Sequence, residues 1–264
     1  ATQLKQIHLE TNSASETLAA QQRQLEENRN LLAKRQEDAA ILNGRLEGAR
    51  ERLAVLEALV AHQEGVDAGA REMLRMAGES SDPMWQSVRG LVGELLECEV
   101  HLAPLVDCAL GTAGQAIVLS DGRIVDSLRD NQLQIEGRVT LMRLDRLPAR
   151  RFGERIQLDG VAGIIGRADR LITFREDLAG LYRYLLGTTW LVDSLATALE
   201  LGHFRGAGLR FVTADCQLVE GDVSVTLGAA QALPGIVSRR SEMQAARHEI
   251  EHYTYQHHQA HAEV

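Results

Sequence analysis

A seven-residue rhythm governs the first quarter of the chain. Leu4, Thr11, Leu18, Leu25, Leu32, Ala39, Leu46, Leu53 and Val60 stand seven apart, and Ile7, Ala14, Leu42, Ala49 and Leu56 form a second series three residues on. In the middle, Gln21, Asn28 and Arg35 interrupt that second series. Such a repeat keeps one apolar seam of a helix turned toward a partner helix. The pattern predicts a coiled-coil arm over 1–64, roughly 90 Å long at about 1.5 Å per residue. The chain's end repeats the logic: Met243, Ile250, His257 and Val264 are seven apart, with Ala246, Tyr253 and Ala260 three beyond. This predicts a second arm over 236–264, about 40 Å long. A lone helix would leave its apolar stripe in water. The two arms are therefore expected to pair antiparallel, with the intervening globule as a cap.

Between the arms the pattern changes to short apolar runs, and these occur twice. At an offset of 76 residues, Val88 matches Ile164, Gly90 matches Gly166, Leu95 and Leu96 match Leu171 and Ile172, and Leu105 matches Leu181. Leu110, Gly111 and Thr112 match Leu186, Gly187 and Thr188. Each copy then runs into a strand-like stretch, AIVL at 116–119 and WLV at 190–192. Helical stretches around 122–134 and 194–203 follow, and each copy closes on a similar strand, RVTL at 138–141 and RFVT at 210–213. Shared glycines carry weight because they mark backbone positions with special needs. The expectation is a mixed α/β globule of two pseudo-repeated subdomains, 65–158 and 159–235, with sheets covered by helices. The offset is far too long for a solenoid, so this is a duplication.

Composition sharpens the boundaries. All four prolines (Pro83, Pro104, Pro148, Pro234) and 21 of the 23 glycines lie in the middle, whereas residues 1–62 hold no proline and no Phe, Trp or Tyr. Helix interiors reject proline and penalise glycine. The net charge of −9 gives no overall pull toward nucleic acid. Cys98, Cys108 and Cys216 show no CxxC spacing and read as reduced, partly buried thiols of a cytosolic protein. No apolar run approaches a membrane span. The chain starts without methionine in mid-pattern, as a piece of something longer would.

Catalytic signatures are scarce. No G-x-x-x-x-G-K-[ST] segment exists, so ATP binding by that route is not expected. The run GVAGIIG (160–166) lacks a dinucleotide-loop start and reads as backbone packing. No G-x-S-x-G elbow occurs. In the tail, His252, His257, His258 and His261 cluster, with His257 and His261 four apart. They read as exposed arm residues, and no metal site or cofactor is assigned. No small-molecule substrate is expected, and this stretch is not expected to be an enzyme.

Several strings in order resemble the hinge region of structural maintenance of chromosomes (SMC) proteins, bacterial chromosome-condensing members above all. They are SVRGLVGELLECE (87–99), ALGTAGQAIVL (109–119), GRVTLMRLD (137–145), GVAGIIGRADRLITF (160–174), YLLGTTWLVDSLATALEL (184–201), LRFVT (209–213) and VSRRSEM (237–243). The resemblance implies a homodimer through the hinge, arms folding back antiparallel, ATPase heads at the far arm ends, and a cytoplasmic, nucleoid-associated machine that organises DNA. Family members close the second subdomain with paired glycines at the dimer contact. Here VEGDVSVTLGAA (219–230) keeps Gly228 and neighbouring Gly221, with Asp222, Val223 and Leu227 at the other positions. Val223, Val225 and Leu227 alternate as a strand with one apolar face. That strand is expected to add to the partner's sheet near Val139, Thr140 and Met142. Residues 138–175 hold nine arginines and four acids, so a weak, nonspecific DNA contact is expected at Arg143, Arg146, Arg150 and Arg151. The competing reading is a coiled-coil scaffold or adaptor whose globule binds another protein.

Overall fold

The computed structural model describes residues 2–148, 156–205, 208–221, 223–228 and 234–262. The chain divides into two units: residues 1–55 with 246–264, and residues 56–245.

The first unit holds the arms. The helix α1 runs Thr2–Ala61, and α7 runs Ile236–Ala262 at the other end of the chain. Along α1, Leu46 and Ala49 are buried, while Leu18, Leu25 and Leu32 are exposed. Along α7, Ala246 is fully buried, with Ile250, Tyr253 and His257 half-buried. Arg52 pairs with Glu249, which sets the register. Burial on α1 extends back from Arg52 through Leu42 and Ala39. N-terminal to Arg35, the seam leucines Leu18, Leu25 and Leu32 face solvent.

The second unit is built twice on one plan. The first copy contains β1 (Val88–Leu91), β2 (Leu96–Glu97), α3 (Ala103–Leu110), β3 (Ile117–Leu119), α4 (Arg123–Arg129) and β4 (Leu141–Arg143), preceded by α2 (Ala68–Glu79). The second contains β5 (Ile164–Arg167), β6 (Thr173–Phe174), α5 (Ala179–Leu186), β7 (Thr189–Val192), α6 (Leu195–Arg205) and β8 (Arg210–Thr213). It then adds a hairpin, β9 (Leu218–Glu220) and β10 (Ser224–Thr226). The sheets are ordered β1-β3-β4 and β10-β9-β8-β7-β5. In each, the first strand is antiparallel to its neighbour and the crossover strand is parallel. The two-residue strands β2 and β6 pair with each other, Leu96 opposite Phe174, and stitch the copies together.

Side chains alternate across both sheets, as a pleated strand requires. Val118 and Met142 of the first sheet and Leu191 and Val212 of the second enter one shared core around α3 and α5. Ile117, Leu119 and Leu141 turn instead to a core with α2 and α4. Trp190, Val192 and Phe211 turn to a core with α6. Tyr182 crosses between copies: its hydroxyl donates to the Val92 carbonyl at 2.8 Å. The matched glycines have a shared purpose. A register shift breaks the ladder beside Gly90 in β1 and beside Gly166 in β5. The equivalent Leu95 and Leu171 pack against these bulges. In GVAGIIG, Gly160 and Gly163 have φ of +82° and +80°, and a side chain at Gly163 would strike Thr197 and Asp193. Gly163 is thus held by close packing, whereas Gly160 has open space around it and only its positive φ calls for glycine.

Candidate dimerisation edges

Both strands expected to form the joint stand at sheet ends. β4 is the last strand of its sheet, parallel to β3 with Leu141 opposite Ile117. The Ile117 amide donates to the Thr140 carbonyl at 2.9 Å, so pairing reaches one residue before β4. Val139 packs on the outer core and Met142 on the shared one. Their side chains serve their own chain. What β4 offers outward is backbone and the exposed Thr140.

β10 ends the other sheet, antiparallel to β9, with Val225 opposite Val219. Val219 is 1% exposed, whereas Val225 is 44% and Val223 94% exposed. Leu227 is exposed as well. An edge strand presents unpaired N–H and C=O groups, and soluble proteins usually blunt it with charge or proline. β10 reads Ser-Val-Thr and carries neither. The two glycines differ. Gly221 turns the hairpin at φ +56°. Its carbonyl lies where a side chain on Gly202 of α6 would stand, at 2.5 Å. It therefore packs the hairpin onto α6. Gly228 has φ +135° with open space around it, so conformation rather than crowding calls for glycine. Asp222, the third replaced position, lies outside the described residues.

The arginine cluster is largely neutralised by neighbours. Arg143 grips Asp145 through two bonds of 3.0 and 2.7 Å, which holds the Asp145 carboxyl below its usual range. Arg167 bonds Asp169, Arg170 bonds Asp159, and Arg175 bonds Asp177. Arg146 is exposed and lies 3.9 Å from Asp145. Arg150 and Arg151 lie outside the described residues.

A second constellation sits where the returning helix leaves the globule. Asp107 of α3 accepts from the amides of Val237 and Ser238 at 3.0 and 2.9 Å, and from the Ser238 hydroxyl at 2.6 Å. Acceptors for the first amides of a helix, carrying negative charge at its positive end, stabilise it. A side chain at Gly235 would collide with that carboxylate. Arg239, buried, donates to the Glu64 carbonyl at 2.7 Å and so ties the start of α7 to the turn that follows α1. The sequence offers little signal for Asp107, whose partners lie 130 residues away. The tail carries a local signal of its own: HEIEH at 248–252 places two histidines four apart.

Residues 86–202 match the family model described as the SMC proteins flexible hinge domain. The globule is an SMC hinge domain. The chain is 44% identical over 90% of its length to the chromosome partition protein Smc of Rhodopirellula baltica, and 29% identical over 81% to that of Lactiplantibacillus plantarum. It spans about a fifth of those relatives, 20% and 18% respectively. Among solved structures, it shares the fold of the Geobacillus stearothermophilus SMC hinge domain, determined as an asymmetric dimer. The TM-score is 0.71 at 22% identity, over 88% of this chain and 92% of that one. A structure of the folded elbow of cohesin matches with a TM-score of 0.56 at 15% identity, over 89% of this chain and 35% of that one. The mixed α/β globule of this chain is thus the fold of a solved SMC hinge domain.

Proposed function

We propose that this hinge joins two copies of the chain edge to edge, β10 of each adding to β4 of the other. A two-fold pair then closes on itself, with neither β4 nor β10 left unpaired. The observation that carries this reading is β10: an uncharged edge strand whose Val225 faces water, as do Val223 and Leu227 on either side of it. Strand addition supplies main-chain hydrogen bonds for affinity and alternate side chains for fit. The whole protein, on this reading, is a chromosome partition SMC protein that uses the joint to hold two arm pairs together and organise DNA. The relatives' names and the hinge fold support that role.

Sedimentation equilibrium with Val225→Asp tests the joint. The exposed site keeps monomer stability within about 0.5 kcal/mol. The dimer dissociation constant should rise at least about tenfold, or about 1.4 kcal/mol. An unchanged dimer would remove β10 from the interface.

A further inference from the structure

The returning arm presents two imidazoles on its solvent side. The buried seam of α7 runs through Ala246, Ile250 and Tyr253. His248 and His252 stand off that seam, both exposed. Residues four apart on a helix lie one above the other on the same face. Glu251 sits between them in sequence, its Oε2 3.7 Å from His248 Nδ1. Glu249, the remaining carboxylate of the run, is occupied by Arg52.

We propose that His248 and His252 form a chelate for a borderline divalent transition ion, Zn2+, Ni2+ or Cu2+, with Glu251 lending negative charge beside it. Imidazole nitrogen suits these ions and serves poorly for Mg2+ or Ca2+. Two ligands fixed on one helix make the second bond intramolecular, which raises affinity without any further contact. The helix is already held by its pairing with α1, so binding need not fold it. Among the described residues no group of three His, Cys, Asp or Glu converges on one point. The chelate is therefore open, its other positions filled by water, unlike a closed four-ligand structural zinc site. HEIEH also fits the H-E-x-x-H spacing of zinc peptidases, whose glutamate acts as general base. Here that glutamate is Glu249, ion-paired to Arg52 on a coiled-coil face, which leaves it unfit for that chemistry. An ion bridging one turn clamps the helix there, so it should stiffen the arm.

Titration calorimetry of the 264-residue chain, stripped with a chelator and then supplied with Ni2+ or Zn2+ alone, tests the site. One equivalent should disappear in H248A/H252A, and each single alanine should weaken it about tenfold or more. Alanine favours helix, so circular dichroism of the metal-free variants should match the parent. The metal should raise the thermal midpoint of the parent and not that of the double variant. Unchanged binding by H248A/H252A, or binding abolished only when His257, His258 and His261 are replaced, would overturn the assignment.

Discussion

The two copies in the hinge share a backbone plan and differ where each meets something else. Their strands, bulges and central helices correspond, and α3 and α5 are offset by the same 76 residues that align the sequence. At one corresponding pair the chemistry changes in both members together. The first copy has Leu91, 1% exposed, followed by Gly93. The second has Arg167, 9% exposed, followed by Asp169, and the two bond at 2.6 and 2.9 Å. Gly93 cannot gain a side chain freely, because a Cβ there would stand 3.0 Å from Ile236 at the start of α7. The second copy has no arm to seat there, so an aspartate fits and neutralises the buried arginine. The second copy instead ends in the β9–β10 hairpin, where the first stops at β4. The core was kept twice. The arm root and the open edge were each built on one copy only.

The matched bulges give the sharpest way to break this equivalence. Gly90 has φ +122°, a region that side chains rarely adopt, whereas Gly166 lies outside it and a Cβ there would stand 3.1 Å from the end of the Leu171 side chain. Gly90→Ala should cost about 2 kcal/mol through backbone strain. Gly166→Ala should cost about 1 kcal/mol, since the leucine must shift. Urea denaturation of the two variants measures the difference. Equal losses would mean that the two bulges are the same structure after all.

Tyr182 probes the joint between the copies. Its hydroxyl serves the Val92 carbonyl, and the corresponding position in the first copy is Val106, which can offer no such bond. Tyr182→Phe should cost about 1 kcal/mol, since the Val92 carbonyl is left with only the longer bond from the Leu95 amide, at 3.3 Å. No measurable loss would show that packing alone holds the copies together.

These cases also show what the sequence could and could not disclose. The heptads and the 76-residue repeat were legible because burial imposes a period on residue type. The strand expected at 138–141 begins instead at Leu141. Gly137, at φ +91°, and the Arg138 carbonyl dock against Gly69 of α2, and a contact nearly 70 residues away leaves no periodic trace. The candidate edge was legible in the alternation of Val223, Val225 and Leu227. The inward assignment of Val139 and Met142 was not, because an edge strand and a buried one share the same alternation.

The smallest expected effect concerns a second tie between the copies. The Cys108 thiol of α3 donates to the Cys216 carbonyl, in the turn after β8, at 3.2 Å. Burial, with Cys216 nearby, pushes the Cys108 thiol up to about 11. An acid raised in the folded state keeps its proton while the unfolded chain has already released its own. The stability it contributes is therefore fully present below about pH 9, the ordinary value, and is lost as pH rises toward 11. Burial also raises Cys98 and Cys216, so the three thiols act in the same direction. Melting temperatures followed from pH 8 to 11 should fall, and Cys108→Ala should fall less steeply than the parent. Parallel curves for the two proteins would show that Cys108 is no more sheltered in the fold than in the open chain, and that the tie between α3 and the second copy is looser than its 3.2 Å contact implies.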